Sequence, residues 1–239
     1  LLAAFLAIQF VRTRAFRMQW GDMGRLLREK IESMGHQVAI GSEAEALMRT
    51  PTENEIKIDT ARIILQAPTD FGPHFLSKVW FLAKTTRGHP FMIGDNPLAL
   101  QNHIDMEPYG NLGLAVRGIE IYFPLSSTRA LAMWCPSLAK QVAEAAGTLR
   151  SLPGQITAPF VRDREGVLAL DEALTHGTAL PYKPEHVMNF NSLQVSRSER
   201  YVFSSVRDFS LPIRMLADHP MLRGGPRITD MASKRTSVE

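Results

Sequence analysis

Residues 80–100 read WFLAKTTRGHPFMIGDNPLAL. Two apolar runs flank a Gly-His-Pro break, and the second ends at Gly94-Asp95-Asn96-Pro97. Apolar runs this short, bounded by glycine and proline, fit buried strands better than helices. The stretch predicts strands at 79–85 and 90–93, joined as a hairpin by Thr86-Arg87-Gly88-His89. An acid, an amide and a proline at the end of a buried strand make a rigid polar corner. Asp95 and Asn96 are therefore the leading catalytic candidates, with Asp95 as metal ligand or base and Asn96 as an orienting amide. The competing reading is structural: Asp-Asn-Pro is a strong turn sequence whose carboxylate can accept backbone N–H groups.

The chain has 239 residues, enough for one large domain with a sizeable core. Hydrophobic content of 45% and charged content of 21% are ordinary for a folded soluble protein. A net charge of +3 leaves a nucleic-acid partner open without requiring one. Cys135 is the single cysteine, which excludes an internal disulfide and a multi-cysteine zinc site and fits the cytoplasm. The first ten residues are largely apolar, but Arg12, Arg14 and Arg17 follow them, the reverse of a signal peptide. The run is also far short of the roughly 20 residues that span a bilayer, so no membrane partner is expected. Without an initiator Met, the chain is expected to lack an N-terminal portion.

Apolar periodicity predicts helices over 1–20 and 21–34, the second stopped by Gly35. A weakly ordered connector covers 36–52, and Thr52-Glu-Asn-Glu55 reads as a capping box opening a helix that ends before Pro68. A helical turn or two follows over 69–77. The glycine-rich run 109–118 lacks dinucleotide-loop or P-loop spacing and reads as a loop. Strands are predicted at 119–124 and 130–134, then a helix over 136–149 with Pro136 in its first turn. Residues 150–182, punctuated by three prolines, read as irregular with a short strand at 157–161. A helix opening at 183–184 carries Asn189, Asn191 and Gln194, and Tyr201–Ser205 closes the sheet. One short helix is expected after Arg207. The expected organisation is a single domain over 1–221 with a flexible tail over 222–239.

Four segments, in order, are LAAFLAIQFVRTRAFR, FMIGDNPLAL, IEIYFPLSSTRALAM and VMNFNSLQVSRSERYVFSS. Together they resemble the bacterial domain-of-unknown-function family number 4238. The likeness rests on a Q-x-x-R-T helix, an Asp-Asn-Pro turn, an F-P-L-S strand and an asparagine-bearing helix before a final strand. The family's His-Tyr-Val-Pro-like opening is absent. Its Thr-Ser before Asp-Asn-Pro is Ile93-Gly94 in this chain, so a hydroxyl beside Asp95 is missing. No activity follows from this resemblance.

Other candidates carry weaker signals. Gln9 interrupts the apolar face of the first helix and Arg12 borders it; with Asn191 they are the expected pocket-lining residues. Glu120 alternates with Tyr122 on one strand face, expected to be exposed. The seven histidines include no i, i+4 pair, and His89 reads as a surface turn residue. Ser126-Ser127 lacks a nucleophile-elbow pattern, and Cys135 reads as an inert thiol.

The expected fold class is α+β: a helical N-terminal part packed on a small, mainly antiparallel sheet, with further helices between strands. Two functional readings stand. The favoured one is a binding or interaction domain with a homodimer or protein partner. The alternative is a metal-dependent hydrolase, nuclease-like or phosphoesterase-like, using the Asp95-Asn96 corner and a divalent metal such as Mg²⁺ or Mn²⁺.

Overall fold

A computed structural model describes residues 1–33, 49, 51–104, 112–152, 154, 161, 163–226 and 228. Most of the predicted connector over 36–52, most of the strand at 157–161, the first part of the loop at 109–118 and most of the tail lie outside these residues.

The chain opens with two helices, α1 (Leu2–Val11) and α2 (Arg14–Ser33). The sequence predicted a break at residue 20, but it falls at Arg12-Thr13. There the Thr13 hydroxyl accepts the backbone N–H of Phe16 at 3.2 Å, which starts a new helix. Gly21 is passed without interruption. The capping box is present in α3 (Glu53–Asp70): Thr52 Oγ1 accepts Glu55 N–H at 3.3 Å, and Glu55 Oε2 accepts Thr52 N–H at 2.7 Å. This helix runs through Pro68 instead of stopping before it. Its last turn is closed by Phe71 N–H to Ala67 C=O at 2.9 Å, a bond that proline does not interrupt. A short helix, α4 (Gly72–Leu76), follows.

The main sheet contains β1 (Val79–Lys84), β3 (Ala99–Gln101), β4 (Glu120–Ser126), β5 (Arg129–Trp134) and β6 (Leu180–Pro181). Their spatial order is β3-β4-β5-β1-β6; β6 runs parallel to β1, and every other pair is antiparallel. A second, two-stranded sheet pairs β2 (Ile93–Gly94) with β7 (Val202–Phe203). The predicted hairpin between 79–85 and 90–93 therefore does not form, because β1 takes β5 as its partner. Residues 201–205 do not close the main sheet either. The strand at Ala99–Gln101 was not expected.

After β5 come α5 (Pro136–Ser151), α6 (Arg164–His176), α7 (Pro184–Arg197), α8 (Ser210–Asp218) and a 3₁₀ turn at Pro220–Gly224. Helix α6 corrects the irregular reading of 150–182. Asp163 caps it by accepting Gly166 N–H at 2.9 Å, and Gly177 ends it in the left-handed conformation at φ 69°. The nearby prolines obscured these signals.

The fold is α+β, and its two cores share one sheet. Leu6, Ala7 and Val11 of α1, with Ala67 and Phe75, cover the face carrying Ile121, Phe123, Leu131 and Met133. Ala173 of α6 and Val187 and Phe190 of α7 cover the opposite face, with Phe81, Tyr122, Ala130 and Ala132. Full burial of each large apolar side chain contributes about 1.5–3 kcal/mol. Among the described residues, no helix is long and apolar enough to cross a membrane.

Helix α7 docks against residues 90–97, leaving no room for a side chain at Gly94. A Cβ there would lie 2.2 Å from Ser198 Oγ and 3.1 Å from the Gln194 carbonyl oxygen. Gly94→Ala is expected to cost about 1–3 kcal/mol in chemical denaturation. Adding Ser198→Ala should recover part of the loss by removing the nearer atom. Strict additivity of the two changes would contradict this packing.

Candidate functional site

The structure gathers Asp95, Asn96 and Asn191 into one seam between α7 and residues 90–97. Asp95 Oδ1 accepts Glu199 N–H at 2.8 Å, while Oδ2 accepts Arg200 N–H at 2.9 Å and Tyr201 N–H at 3.2 Å. The N–H of Asp95 donates to Tyr201 C=O at 3.0 Å. Asn96 Nδ2 donates to Arg197 C=O at 3.0 Å. Asn191 accepts Met92 N–H at 2.8 Å and donates to Pro90 C=O at 3.0 Å. Gln194 repeats the pattern with Gly94 N–H at 3.0 Å and Pro97 C=O at 2.9 Å. Each of these side chains holds backbone from a distant part of the chain.

Gln9 and Arg12 do not join them. Gln9 is buried on α1, Arg12 is exposed, and no hydrogen bond links either to the seam among the described residues. The same residues contain no group of three or more His, Cys, Asp or Glu side chains placed to hold a metal. The Ser198 hydroxyl occupies the space a side chain at position 94 would need and donates to Gln194 C=O at 2.7 Å.

A cavity of about 470 Å³ opens on the α6/α7 side of the sheet. Its floor is Glu120, Tyr122 and Trp134; Val167, Leu170, Leu180, Tyr182 and Phe190 wall it; Asp163, Glu165, Lys183 and His186 also line it. Glu120 is only 7% exposed, which corrects the expectation of an outward position. The cause is α6, which with α7 covers that strand face.

The polar groups on the floor form a chain of fixed sense. Trp134 Nε1–H donates to Tyr122 Oη at 3.2 Å, and Tyr122 O–H donates to Glu120 Oε2 in a short bond. An indole N–H can only donate and an ionised carboxylate can only accept, so with Glu120 ionised the tyrosine proton points to the carboxylate. The other oxygen, Glu120 Oε1, lies 3.7 Å from His103 Nε2. Gln101 bridges the rim, contacting His103 Nε2 and accepting Asn189 Nδ2–H at 3.1 Å. Aromatic packing fixes the walls, with Phe91 and Phe190 ring centres 4.6 Å apart and Tyr122 and Phe190 5.8 Å apart.

Burial pushes the Glu120 pKa above the usual carboxylate value, opposed by the Tyr122 hydrogen bond and the His103 charge. Burial raises Tyr122 well above an ordinary phenol, and the Tyr182 and Glu120 charges add to this. Tyr182 is raised by burial and by Glu120. Both phenols therefore remain neutral donors at physiological pH. The sequence held a clue to this site, an acid two residues before a tyrosine in an apolar strand, but not the helix that buries it. Trp134, Tyr182 and Phe190 carried no functional signal.

Asp95→Asn replaces a carboxylate facing three N–H groups with an amide that has one acceptor oxygen. It should lower stability by about 3 kcal/mol, or about 6–12 °C in Tm, and Mn²⁺ should shift neither protein. A Mn²⁺-dependent rise confined to the wild type would make Asp95 a ligand. For Glu120, the raised folded pKa means that its contribution to stability is complete below the unfolded glutamate value of about 4.3. That contribution is lost as pH rises through the higher folded value. Wild-type stability should therefore fall relative to Glu120→Gln across this window, then run parallel above it. Denaturation curves that stay parallel throughout would contradict the burial effect.

No curated protein and no solved structure matches this chain. The family model described as protein of unknown function (DUF4238) matches residues 1–208, bearing out the family indicated by the four sequence segments. The chain belongs to the DUF4238 family.

Proposed function

We propose that the chain is a ligand-binding domain whose cavity beneath α6 and α7 takes a small organic molecule. The observation that supports this best is Glu120: a buried carboxyl group on the floor of an aromatic-walled cavity, with one oxygen held by Tyr122 and the other 3.7 Å from His103 Nε2, outside hydrogen-bond distance. The volume of about 470 Å³ lies in the range of small-molecule sites, about 300–1,000 Å³. Apolar walls supply contact area, and Glu120, Gln101 and Asn189 supply orientation. In this reading Asp95, Asn96 and Asn191 are structural, because their polar atoms hold backbone at the seam. The hydrolase alternative at Asp95 gains no support from that geometry. The single free thiol, Cys135, agrees with a cytoplasmic setting.

A fragment library screened by ligand-observed NMR tests the proposal. Hits on the wild type should be lost on Val167→Trp, which places a large ring in the cavity from α6. Hits that bind both proteins equally would put the ligand site elsewhere.

A further inference from the structure

We infer that the ligand of this cavity is a protonated amine on an apolar, ring-sized body, its ammonium group hydrogen-bonded to Glu120 Oε1. This inference rests on the ligand-binding reading above and adds the chemical class.

The first support is the direction of the floor's hydrogen bonds. Trp134 donates to Tyr122 and Tyr122 donates to Glu120, so the chain ends at an acceptor. Oε2 is held, and among the described residues Oε1 has only His103 Nε2 at 3.7 Å, beyond hydrogen-bond distance, so the complementary ligand group is a donor. A carboxylate oxygen in a low-dielectric site binds a charged N–H donor more strongly than a neutral one.

The second support is charge. Lining carboxylates come from Glu120, Asp163 and Glu165, against one lysine, Lys183, and one histidine, His186. That lysine is held by Asp163 at 2.5 Å, leaving the remaining charge of the lining acidic in a chain with a net charge of +3. An anionic ligand would face the carboxylates of Glu120 and Glu165, with His103, 3.7 Å from Glu120 Oε1, as the nearest counter-charge to the first. The third support is the aromatic lining of Tyr122, Trp134, Tyr182 and Phe190. Aromatic rings around a carboxylate favour an organic cation through their electron-rich faces. A quaternary ammonium could use the rings but has no N–H for Oε1, so primary and secondary amines fit best.

The test uses the full chain and sets of fragments matched in body and differing in charge, such as 2-(1-naphthyl)ethylamine, 2-(1-naphthyl)ethanol and 1-naphthylacetate. Binding is read by ligand-observed NMR and calorimetry at neutral pH on the wild type, Glu120→Gln and Val167→Trp. Amines should bind the wild type in preference to their alcohol and carboxylate partners. They should weaken about tenfold or more on Glu120→Gln and be lost on Val167→Trp. Glutamine still offers Tyr122 an acceptor, and unchanged circular dichroism would confirm that the variant folds. If alcohols or carboxylates bind as well as amines, or if amines bind Glu120→Gln undiminished, the amine assignment fails while the cavity remains a ligand site. If no charge class binds, or if binding survives Val167→Trp, the ligand-binding reading itself fails.

Discussion

The buried segment 90–97 has little regular structure, so its backbone N–H and C=O groups need partners supplied by side chains. Helix α7 supplies them through two residues one turn apart, Asn191 and Gln194, each pairing one donor and one acceptor with the segment. Asp95 returns the favour by capping the backbone that leaves α7. A buried unpaired amide or carbonyl costs about 1–3 kcal/mol, so losing either helix residue would leave several such debts at once. This exchange fixes the position of α7 over the sheet. The same helix carries Asn189 and Phe190 into the cavity, and the site therefore depends on the seam.

The cavity lies where strand β4 departs from the usual half-buried pattern. Both of its faces are covered, one by α1 and its neighbours and the other by α6 and α7. A glutamate on such a strand is destabilising when ionised unless it has a partner. Tyr122 provides one hydrogen bond and His103 lies 3.7 Å from the other oxygen, yet burial still raises the acid's pKa.

Several elements were legible because their signals are local. Thr52 and Glu55 specify a helix start through bonds three residues apart, and Pro136 marks the start of α5. The alternation of residues 119–124 and the short turn before Arg129 specify the β4–β5 pair. Helix α6 was equally local, with Asp163 at one end and Gly177 at the other, and was obscured by the prolines around it. The pairing of residues 90–94 was not legible. Whether Ile93 pairs with β1 or with Phe203 is decided by α7, about 100 residues away, which occupies the backbone groups of Pro90 and Met92.

By itself the sequence determined the α+β class, the family, most helix and strand positions, and the importance of the Asp-Asn-Pro corner, because caps, turns and periodicity act over a few residues. Tertiary structure alone decided what that corner holds together and that the Glu120 face of its strand is buried. Asp95 is a backbone cap because a distant chain segment places three N–H groups around it. Glu120 is buried because α6 and α7 cover its strand face. Desolvation depends on what covers a residue, and in this chain the covering elements are far away in sequence.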